Sequence, residues 1–449
     1  MRDVEDVQRV LNTDQELIPK QLEYFAKVNG EKTFFYYGED DKKFSYKTFN
    51  ELTNQIAHSL KQRGIKKGDR ISVFLYHPLI TTLSMFAIWK VGAVFCPINF
   101  NYKGRLLSYQ INDTDPVMLI TERKLVPRLN EIKGEISTTN IVVRTAKPEE
   151  HDFSEEVMDI GLDQSFNEIS FYELFEGATK NLNTTIYYHD TANIIYTSGT
   201  TGPAKGVVQS YRWMNAYTYY FRKFNNEKDV IYNDLPLYHV GGAFALVARA
   251  AYVGCTVAVW DKFSPQQFWD RIRKSGATNA ILLDVMIPWL MKAKESPYDR
   301  ENTLNKVYMQ PLPEYHHDVA KRFGFDFVFA GFGQTESGNG FVSVIQEVEE
   351  RHGTPVELYK GYSRKDTVKI ANQLGVPVND GRKALRKGYM GKPSPFLEAT
   401  ILGEHDEHCP SGEIGEIAFR PRFPSTILDR YFNKPEATVK VMKNCWFQR

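Results

Sequence analysis

The sequence predicts an α/β fold in which two doubly wound, mostly parallel α/β subdomains pack together beside a small β-rich subdomain. Three observations predict this fold. From Arg70 onward, short apolar runs alternate with helix-length amphipathic segments. The same alternation returns after residue 190, and from Phe396 apolar and polar residues alternate along the chain. The first two patterns are typical of parallel strands joined by crossover helices, and the last is typical of half-buried antiparallel strands.

The size and composition of the chain fit several packed subdomains. Its 449 residues exceed the length at which one hydrophobic core stops growing. A content of 42% hydrophobic and 13% aromatic residues excludes wholesale disorder. The formal net charge is only +1, so no global field would attract nucleic acid or an anionic membrane. A charged ligand must therefore be bound locally.

The first subdomain contains the most apolar stretch of the chain. Three apolar runs predict its strands: 71–75, 93–96 and 117–120. The stretch from Thr81 to Phe100 is interrupted by Lys90, Gly92 and Pro97. It therefore predicts a buried helix followed by a strand, and no transmembrane segment.

Further strands and the changes in pattern between them set the expected subdomain boundaries. Six apolar runs predict the strands of the second subdomain: 193–197, 230–235, 256–260, 279–283, 306–309 and 325–332. The runs 397–402 and 413–419 predict the β-rich subdomain. We expect the first α/β subdomain with its crossover at 1–190, the second at 191–345, a surface excursion or lid at 346–390, and the β-rich subdomain at 391–449.

The cysteines and the N-terminus bear on the cellular compartment. Four cysteines lie far apart and form no CxxC pair, which argues against a cysteine zinc site and a disulfide framework: Cys96, Cys255, Cys409 and Cys445. The chain starts with acidic residues where a signal peptide has a basic and then an apolar region. A cytoplasmic location is therefore expected.

The strongest local signal is the loop Tyr196-Thr-Ser-Gly-Thr-Thr-Gly-Pro-Ala-Lys-Gly-Val207, directly after an apolar run. Small residues let a backbone fold tightly around an anion, hydroxyl groups donate hydrogen bonds to it, and Lys205 adds a positive charge. These properties predict a loop that binds polyphosphate. The loop is not a Walker motif, because Gly206 follows the lysine where Ser or Thr is required. The alternative is a flexible turn without a ligand.

This loop resembles the phosphate loop of the adenylate-forming enzymes, which include acyl-CoA synthetases, adenylation domains and luciferases. Their loop reads Ser/Thr-Ser-Gly-Thr-Thr-Gly-x-Pro-Lys-Gly, and here Pro203 stands one place early and Ala204 takes its position. Six further segments match the family, two before this loop and four after it: Phe44-Ser-Tyr46, Gly64-Ile-Lys-Lys-Gly-Asp-Arg-Ile71, Leu235-Pro-Leu-Tyr-His239, Gly333-Gln-Thr-Glu336, Gly412-Glu-Ile-Gly-Glu-Ile417 and Trp446-Phe447. Within the family, 268–272 and 331–336 look most similar to carnitine/crotonobetaine and medium-to-long-chain acyl-CoA ligases.

Glu336 is the candidate magnesium ligand. It follows a predicted parallel strand, and open α/β sheets bind ligands at the carboxyl ends of such strands. Mg²⁺ prefers carboxylate and phosphate oxygens, and the resemblance implies that this glutamate binds it. The alternatives are an acid beside a helix N-cap or a solvated surface acid. The resemblance makes Lys205, Thr335 and Glu336 the expected catalytic residues.

The resemblance also implies residues for the nucleotide and for the acid. The expected nucleotide contacts are Thr197, Ser198, Gly199, Thr200, Thr201, Gly202, Lys205, Phe332, Gly333, Gln334 and Thr335. Phe332 would lie against adenine, where many relatives have tyrosine. The expected contacts with the acid are His239, Gly241 and Gly331. A structural role for His239 stays open, because a single histidine near an apolar helix is often a satisfied structural group.

The activity implied by the resemblance is ATP-dependent activation of a carboxylic acid as an acyl-adenylate, followed by thioester formation with coenzyme A. ATP, Mg²⁺ and coenzyme A are the implied cofactors and partners, with no nucleic acid. Two alternatives stay open: an acyl-AMP ligase or adenylation domain that loads a carrier protein, and a non-catalytic nucleotide-binding remnant.

The end of the chain adds an expectation about activity. Relatives continue beyond the Trp446-Phe447 pair into a ribose-binding aspartate, a hinge and a C-terminal lid domain with a catalytic lysine. We therefore expect this chain to be an N-terminal core without that domain, with ATP binding retained and adenylation slow or undetectable.

Overall fold

The computed structural model describes residues 2–197 and 203–448. The helices are α1 (Arg2–Leu11), α2 (Ile18–Val28), α3 (Tyr46–Gln62), α4 (Pro78–Val91), α5 (Gly104–Thr114), α6 (Val126–Glu131), α7 (Glu155–Met158), α8 (Tyr211–Lys223), α9 (Arg249–Val253), α10 (Phe268–Ser275), α11 (Ile287–Met291), α12 (His316–Phe323), α13 (Arg364–Gln373) and α14 (Pro435–Val441). A π-helix spans Gly241–Ala248. Short 3₁₀ helices span Arg123–Leu125, Phe171–Glu176 and Glu350–His352.

The strands alternate with these helices along much of the chain. They are β1 (Thr33–Tyr37), β2 (Lys42–Ser45), β3 (Arg70–Phe74), β4 (Val94–Pro97), β5 (Met118–Glu122), β6 (Asn140–Arg144), β7 (Asn167–Ser170), β8 (Thr191–Thr197), β9 (Lys205–Ser210), β10 (Val230–Asn233), β11 (Thr256–Val259), β12 (Asn279–Leu283), β13 (Lys306–Gln310), β14 (Phe327–Gln334), β15 (Gly338–Gln346), β16 (Val378–Asp380), β17 (Lys392–Pro393), β18 (Leu397–Leu402), β19 (Glu416–Pro421), β20 (Met442–Lys443) and β21 (Trp446–Gln448).

Among the described residues these strands form two large sheets and one small sheet. The seven-stranded sheet has the order β7-β6-β5-β3-β4-β8-β9, and only β9 is antiparallel to its neighbour. The ten-stranded sheet has the order β16-β15-β14-β13-β12-β10-β11-β1-β2, with β17 paired to β15. Its central pairs, from β14 to β1, are parallel. The four-stranded sheet β18-β19-β21-β20 is antiparallel. The predicted fold class is therefore confirmed.

The large sheets do not follow the order of the chain. Strands β1 and β2 lie in the ten-stranded sheet, whereas β8 and β9 lie in the seven-stranded sheet. Each sheet thus takes strands from both sides of residue 190. The segment 346–390 contributes α13 and β16, and β16 lies at one edge of the ten-stranded sheet. The boundaries expected at 190, 345 and 390 stay a prediction.

The largest hydrophobic core contains residues of both large sheets and of the helices between them. All residues of α4 are buried, and β4 follows this helix, so the buried helix and strand predicted for 81–100 are confirmed. Gly92 ends α4 at a φ of 78°, a left-handed conformation that glycine adopts without strain. No helix of the described chain has the length and apolar character needed to cross a membrane.

Candidate active site

Two antiparallel hairpins carry most of the predicted nucleotide contacts. In the first hairpin, β8 ends at Thr197 and β9 begins at Lys205. The predicted loop residues Ser198, Gly199, Thr200, Thr201 and Gly202 lie outside the described residues. In the second hairpin, β14 ends at Gln334, β15 begins at Gly338, and Glu336 lies in the turn between them. Each hairpin follows the parallel strands of its own sheet.

Hydrogen bonds hold the two hairpins together. Gln209 in β9 donates from Nε2 to the carbonyl oxygen of Thr335 at 2.8 Å. The backbone N–H of Leu428 donates to the carbonyl oxygen of Glu336 at 2.7 Å, and that of Phe432 donates to the carbonyl oxygen of Gly206 at 2.7 Å. The segment 428–432, which we call the clasp, thus contacts both hairpins. A sheet register alone would not bring them this close, because they belong to different sheets.

The clasp also connects the two predicted charged residues. The Tyr431 hydroxyl donates to Glu336 Oε1 at 2.9 Å. The Lys205 Nζ atom lies 5.1 Å from the centroid of the Tyr431 ring, within the range of a cation–π interaction. Glu336 is 1% exposed, whereas Lys205 is half-buried. Lys205 and Glu336 therefore contact the same tyrosine, one at its ring and the other at its hydroxyl.

A cavity of about 830 Å³ lies beside the second hairpin. Seven of the predicted site residues line it: Thr197, His239, Gly241, Gly333, Gln334, Thr335 and Glu336. The structure thus places these nucleotide, metal and acid candidates around one space. Lys205 does not line this cavity and reaches the site through its contact with Tyr431.

Two predicted residues lie in β14 outside the cavity lining. The Phe332 ring stacks on the Phe419 ring at 6.0 Å between centroids and 16° between planes. At Gly331, a Cβ atom would lie 2.4 Å from the carbonyl oxygen of Phe341 and 2.8 Å from the hydroxyl oxygen of Tyr308. Glycine at this position therefore lets β14 approach Tyr308, and Tyr308 itself lines the cavity.

His239 opens onto the cavity with a defined hydrogen bond. The Gly241 backbone N–H donates to His239 Nδ1 at 3.2 Å. Because Nδ1 accepts this bond, the proton of the neutral imidazole is on Nε2. Burial in the cavity wall lowers the pKa of His239 below its ordinary value and favours that neutral form. The adjacent Gly242 lies so close to Pro236 that a Cβ atom would meet the proline carbonyl oxygen at 2.6 Å.

Several residues of the site were not found by reasoning from the sequence. Tyr431 and Gln209 connect the hairpins, and nothing in their local sequence marks them. The sequence did contain a sign of the aromatic cavity wall. Tyr217 and Phe221 are spaced four residues apart on α8, so they share one face of the helix, and both line the cavity. Tyr308 in β13 completes this wall.

The polar atoms at the second hairpin fit a hydrated, phosphate-bound magnesium ion. Glu336 supplies a carboxylate, and the buried Oε1 atom of Gln334 accepts no hydrogen bond from any described residue. The buried Nδ2 atom of Asn339 likewise has no partner within the described part of the chain. Mg²⁺ takes one or two protein oxygens together with water and substrate phosphates. A carboxylate and an amide oxygen at a cavity wall provide such ligands.

Comparison with known proteins identifies the class to which this fold and site belong. The chain is a member of the AMP-binding enzyme family, whose profile matches residues 22–423. It is 27% identical over 426 residues to the crotonobetaine/carnitine–CoA ligase of Salmonella heidelberg (strain SL476), covering 93% of this chain and 73% of that protein. The same values hold for the ligase of Salmonella typhimurium (strain LT2).

Solved structures share the fold. The inhibitor-bound N-terminal domain of FACL13 from Mycobacterium tuberculosis superposes with a TM-score of 0.73 at 19% identity, over 96% of this chain and 95% of that chain. The anthranilate CoA ligase AuaEII in complex with anthranoyl-AMP gives a TM-score of 0.76 at 18% identity, over 96% of this chain and 74% of that chain. These likenesses show that the chain shares this fold over 96% of its length.

Proposed function

We propose that this protein activates a carboxylic acid with ATP and transfers the acyl group to the thiol of coenzyme A. The observation that carries the proposal is the convergence of two hairpins from different sheets. The first brings Lys205 and the second brings Glu336 to the same tyrosine, beside one cavity. Membership of the AMP-binding family supports ATP as the activating substrate.

In the proposed first step, a carboxylate oxygen of the acid attacks the α-phosphorus of ATP. The bond from that phosphorus to the bridging oxygen breaks, and its electron pair leaves with pyrophosphate. Negative charge accumulates on the phosphate oxygens, so the main tasks of the protein are positioning and electrostatic stabilisation. The Lys205 ammonium would supply positive charge beside these oxygens. A magnesium ion bound at Glu336 would neutralise phosphate charge. No protein nucleophile takes part.

The cavity wall is suited to the acid. With Nδ1 engaged by Gly241, the Nε2–H of His239 is available to donate to a carboxylate oxygen. The apolar part of the acid would lie against Tyr217, Phe221 and Tyr308, which line the same cavity. The neutral state of His239 matters here, because it leaves the carboxylate free to act as the nucleophile.

Coenzyme A is the acceptor we propose for the second step. Its thiol would attack the carbonyl carbon of the acyl-adenylate, and AMP would leave with the electron pair of the broken carbon–oxygen bond. The named activity of the 27% identical relatives, which are CoA ligases, supports this acceptor.

Exchange of labelled pyrophosphate into ATP tests the first step. Because adenylation by this chain is expected to be slow or undetectable, we expect at most slow exchange, and that exchange should require both Mg²⁺ and a carboxylic acid, with crotonobetaine, a medium-chain fatty acid and anthranilate as the first panel. Calorimetric binding of a non-hydrolysable acyl-AMP analogue tests the site separately from turnover. Absence of both exchange and analogue binding would contradict the proposal.

The acceptor is tested with the acid that gives the strongest exchange. We expect release of AMP when coenzyme A is added and none with a phosphopantetheinylated carrier protein. The reverse result would replace coenzyme A by a carrier protein and would leave the proposed first step intact.

A further inference from the structure

A second group of potential ligands lies outside the cavity. Asp40, His77 and His151 each place one donor atom within 4.8 Å of the donor atoms of the other two. Asp40 lies in the turn between β1 and β2, and His77 directly precedes α4. His151 lies in the connection between β6 and α7. Three separate parts of the chain therefore meet at this point.

His77 is the most informative member of the group. The residue is 2% exposed, yet neither ring nitrogen has a hydrogen-bond partner among the described residues. A buried polar group without a partner is costly, and such groups in folded proteins normally have one. A metal ion would give one of these ring nitrogens the partner that it lacks, because a neutral imidazole nitrogen is a common metal ligand.

Asp40 has one oxygen that, within the described chain, forms no hydrogen bond and is paired only with a lysine. Its Oδ2 atom is buried and forms no hydrogen bond with any described residue. The Lys42 Nζ atom lies 3.5 Å from it. The other oxygen, Oδ1, lies 3.0 Å from His151 Nδ1. Asp40 is therefore already paired with Lys42 and His151, whereas the buried His77 imidazole has no hydrogen-bond partner among the described residues.

His151 is oriented by a second carboxylate. Its Nε2 atom lies 2.9 Å from Asp261 Oδ2, and Asp261 Oδ1 accepts a hydrogen bond of 2.6 Å from the Tyr37 hydroxyl. A histidine that binds metal through one nitrogen usually donates its other N–H to a carboxylate, which fixes the ring. The His151 side chain is 26% exposed, so the group is open to solvent on that side.

We propose that Asp40, His77 and His151 form a binding site for a divalent transition-metal ion of the zinc type. Two imidazoles and one carboxylate are a donor set that suits Zn²⁺ or Co²⁺ better than Mg²⁺. The bonds would come from the free lone pair of His77, from His151 Nδ1 and from an Asp40 oxygen. Bonds of about 2.1 Å in a tetrahedral site place ligand atoms about 3.4 Å apart. His151 Nδ1 and Asp40 Oδ1 already lie 3.0 Å apart, so the movement needed falls mainly on His77, and solvent provides the remaining ligand.

Carboxylates and cations both surround the group. Asp40 and Asp261 lie on either side of His151, whereas Lys42 lies 3.5 Å from Asp40 Oδ2 and Arg144 pairs with the nearby Asp152. A metal ion would release the Nδ1 proton to solvent and take its place, while the Nε2–H bond to Asp261 is kept.

The site would connect the two large sheets. The Asp40 turn belongs to the ten-stranded sheet, whereas His77 follows β3 of the seven-stranded sheet. The neighbouring Tyr76 ring lies 4.7 Å from that of Phe100, which lies 5.1 Å from that of Tyr238 in the cavity wall. A bound ion would thus stabilise the position of the residues that pack against the cavity wall. The proposal is independent of the proposed function, because none of its ligands lines the cavity.

The test uses the whole chain, freed of metal with a chelator and then titrated in excess Mg²⁺. We expect one Zn²⁺ per chain by calorimetry, a visible ligand-field absorption band when Co²⁺ is bound, and a midpoint of thermal unfolding raised by about 2–5 °C. His151→Asn and Asp40→Asn should each weaken Zn²⁺ binding by about 100-fold or more and abolish the Co²⁺ band.

His352→Asn is the matched control, because His352 is exposed and lies far along the chain from the three ligands. It should bind Zn²⁺ as the unchanged protein does. Far-ultraviolet circular dichroism of the metal-free variants verifies that they are folded. The proposal is overturned if Zn²⁺ does not bind stoichiometrically, if His151→Asn and Asp40→Asn bind it as well as the unchanged chain, or if His352→Asn loses as much affinity as they do.

Discussion

The two hairpins of the candidate site are built alike but held differently. Each follows a series of parallel strands with one antiparallel return strand, β9 in the seven-stranded sheet and β15 in the ten-stranded sheet. The end of the first hairpin is tied to α5, where the Tyr109 hydroxyl donates to the Ala204 carbonyl oxygen at 2.9 Å and that of Tyr196 to Asp113 Oδ2 at 2.7 Å. The end of the second is buried, with Glu336 1% exposed.

The difference indicates a division of tasks within the proposed function. A buried turn with a fixed carboxylate is suited to hold a metal ion in one geometry, since its side chain has few alternative positions. A half-buried lysine on a flexible stem is suited to follow phosphate groups as a point charge. The clasp is one of the connections between the two parts, because Tyr431 contacts both, and Gln209 joins them directly.

The first prediction separates the hairpins by their dependence on metal. Glu336→Gln should lower the rate of pyrophosphate exchange by about 100-fold, because it removes the charge that holds Mg²⁺ beside the phosphates. A measurement that reports metal binding more directly is the affinity for ATP with Mg²⁺ divided by the affinity without it. We expect this ratio to fall toward one in Glu336→Gln, because the variant no longer binds the metal ion.

Glu357→Gln provides the control for this prediction, since Glu357 is an exposed glutamate in the segment 346–390. It should leave both the exchange rate and the ratio unchanged. A Glu336→Gln variant that keeps the full effect of Mg²⁺ on ATP affinity would show that this turn does not hold the metal ion.

The second prediction concerns the charge of the first hairpin. Lys205→Ala should weaken ATP binding by about tenfold to a hundredfold, since a contact between a cation and phosphate contributes about 1.5–3 kcal/mol. Adenosine, which has no phosphate, should bind to the variant and to the unchanged protein equally well. The difference between the two proteins should diminish at high salt.

The exposed Lys294 supplies the matched control, and Lys294→Ala should bind ATP normally. If Lys205→Ala weakened adenosine and ATP binding to the same extent, the lysine would act on the structure of the site and not on the phosphates. The proposed contrast between the flexible Lys205 charge and the fixed Glu336 carboxylate would then no longer hold.

The sequence was most informative where a physical pattern is local. The buried helix α4 and the strand β4 were predicted because a continuous apolar stretch ends at Gly92. The polyphosphate-binding loop before Lys205 is also inferred from a local pattern, in which small residues, hydroxyl groups and a lysine follow a strand directly, and it stays a prediction. The antiparallel runs 397–402 and 413–419 were predicted from their alternation, and β18 and β19 pair there in the small sheet.

The return strands and the clasp were not predicted, because their roles depend on contacts between distant residues. Strand β15 begins with Gly-Asn-Gly, which resembles a turn, yet it pairs with β14 along its length. Strand β9 has only six residues and no alternation of its own. Tyr431 is separated from Glu336 by 95 residues, and no periodicity connects positions so far apart.

The third and smallest prediction tests the clasp itself. Tyr431→Phe keeps the ring beside Lys205 and removes the hydroxyl that donates to Glu336. We expect about fivefold weaker binding of MgATP, equivalent to about 1 kcal/mol, because the carboxylate keeps its charge and loses one orienting hydrogen bond. Binding of ATP without metal should change less than binding of MgATP.

Tyr298→Phe, at an exposed tyrosine, should behave as the unchanged protein does. If Tyr431→Phe weakened the binding of MgATP and of metal-free ATP equally, Tyr431 would act through Lys205 and the first hairpin. The ratio of these two losses in affinity therefore decides which hairpin the clasp positions.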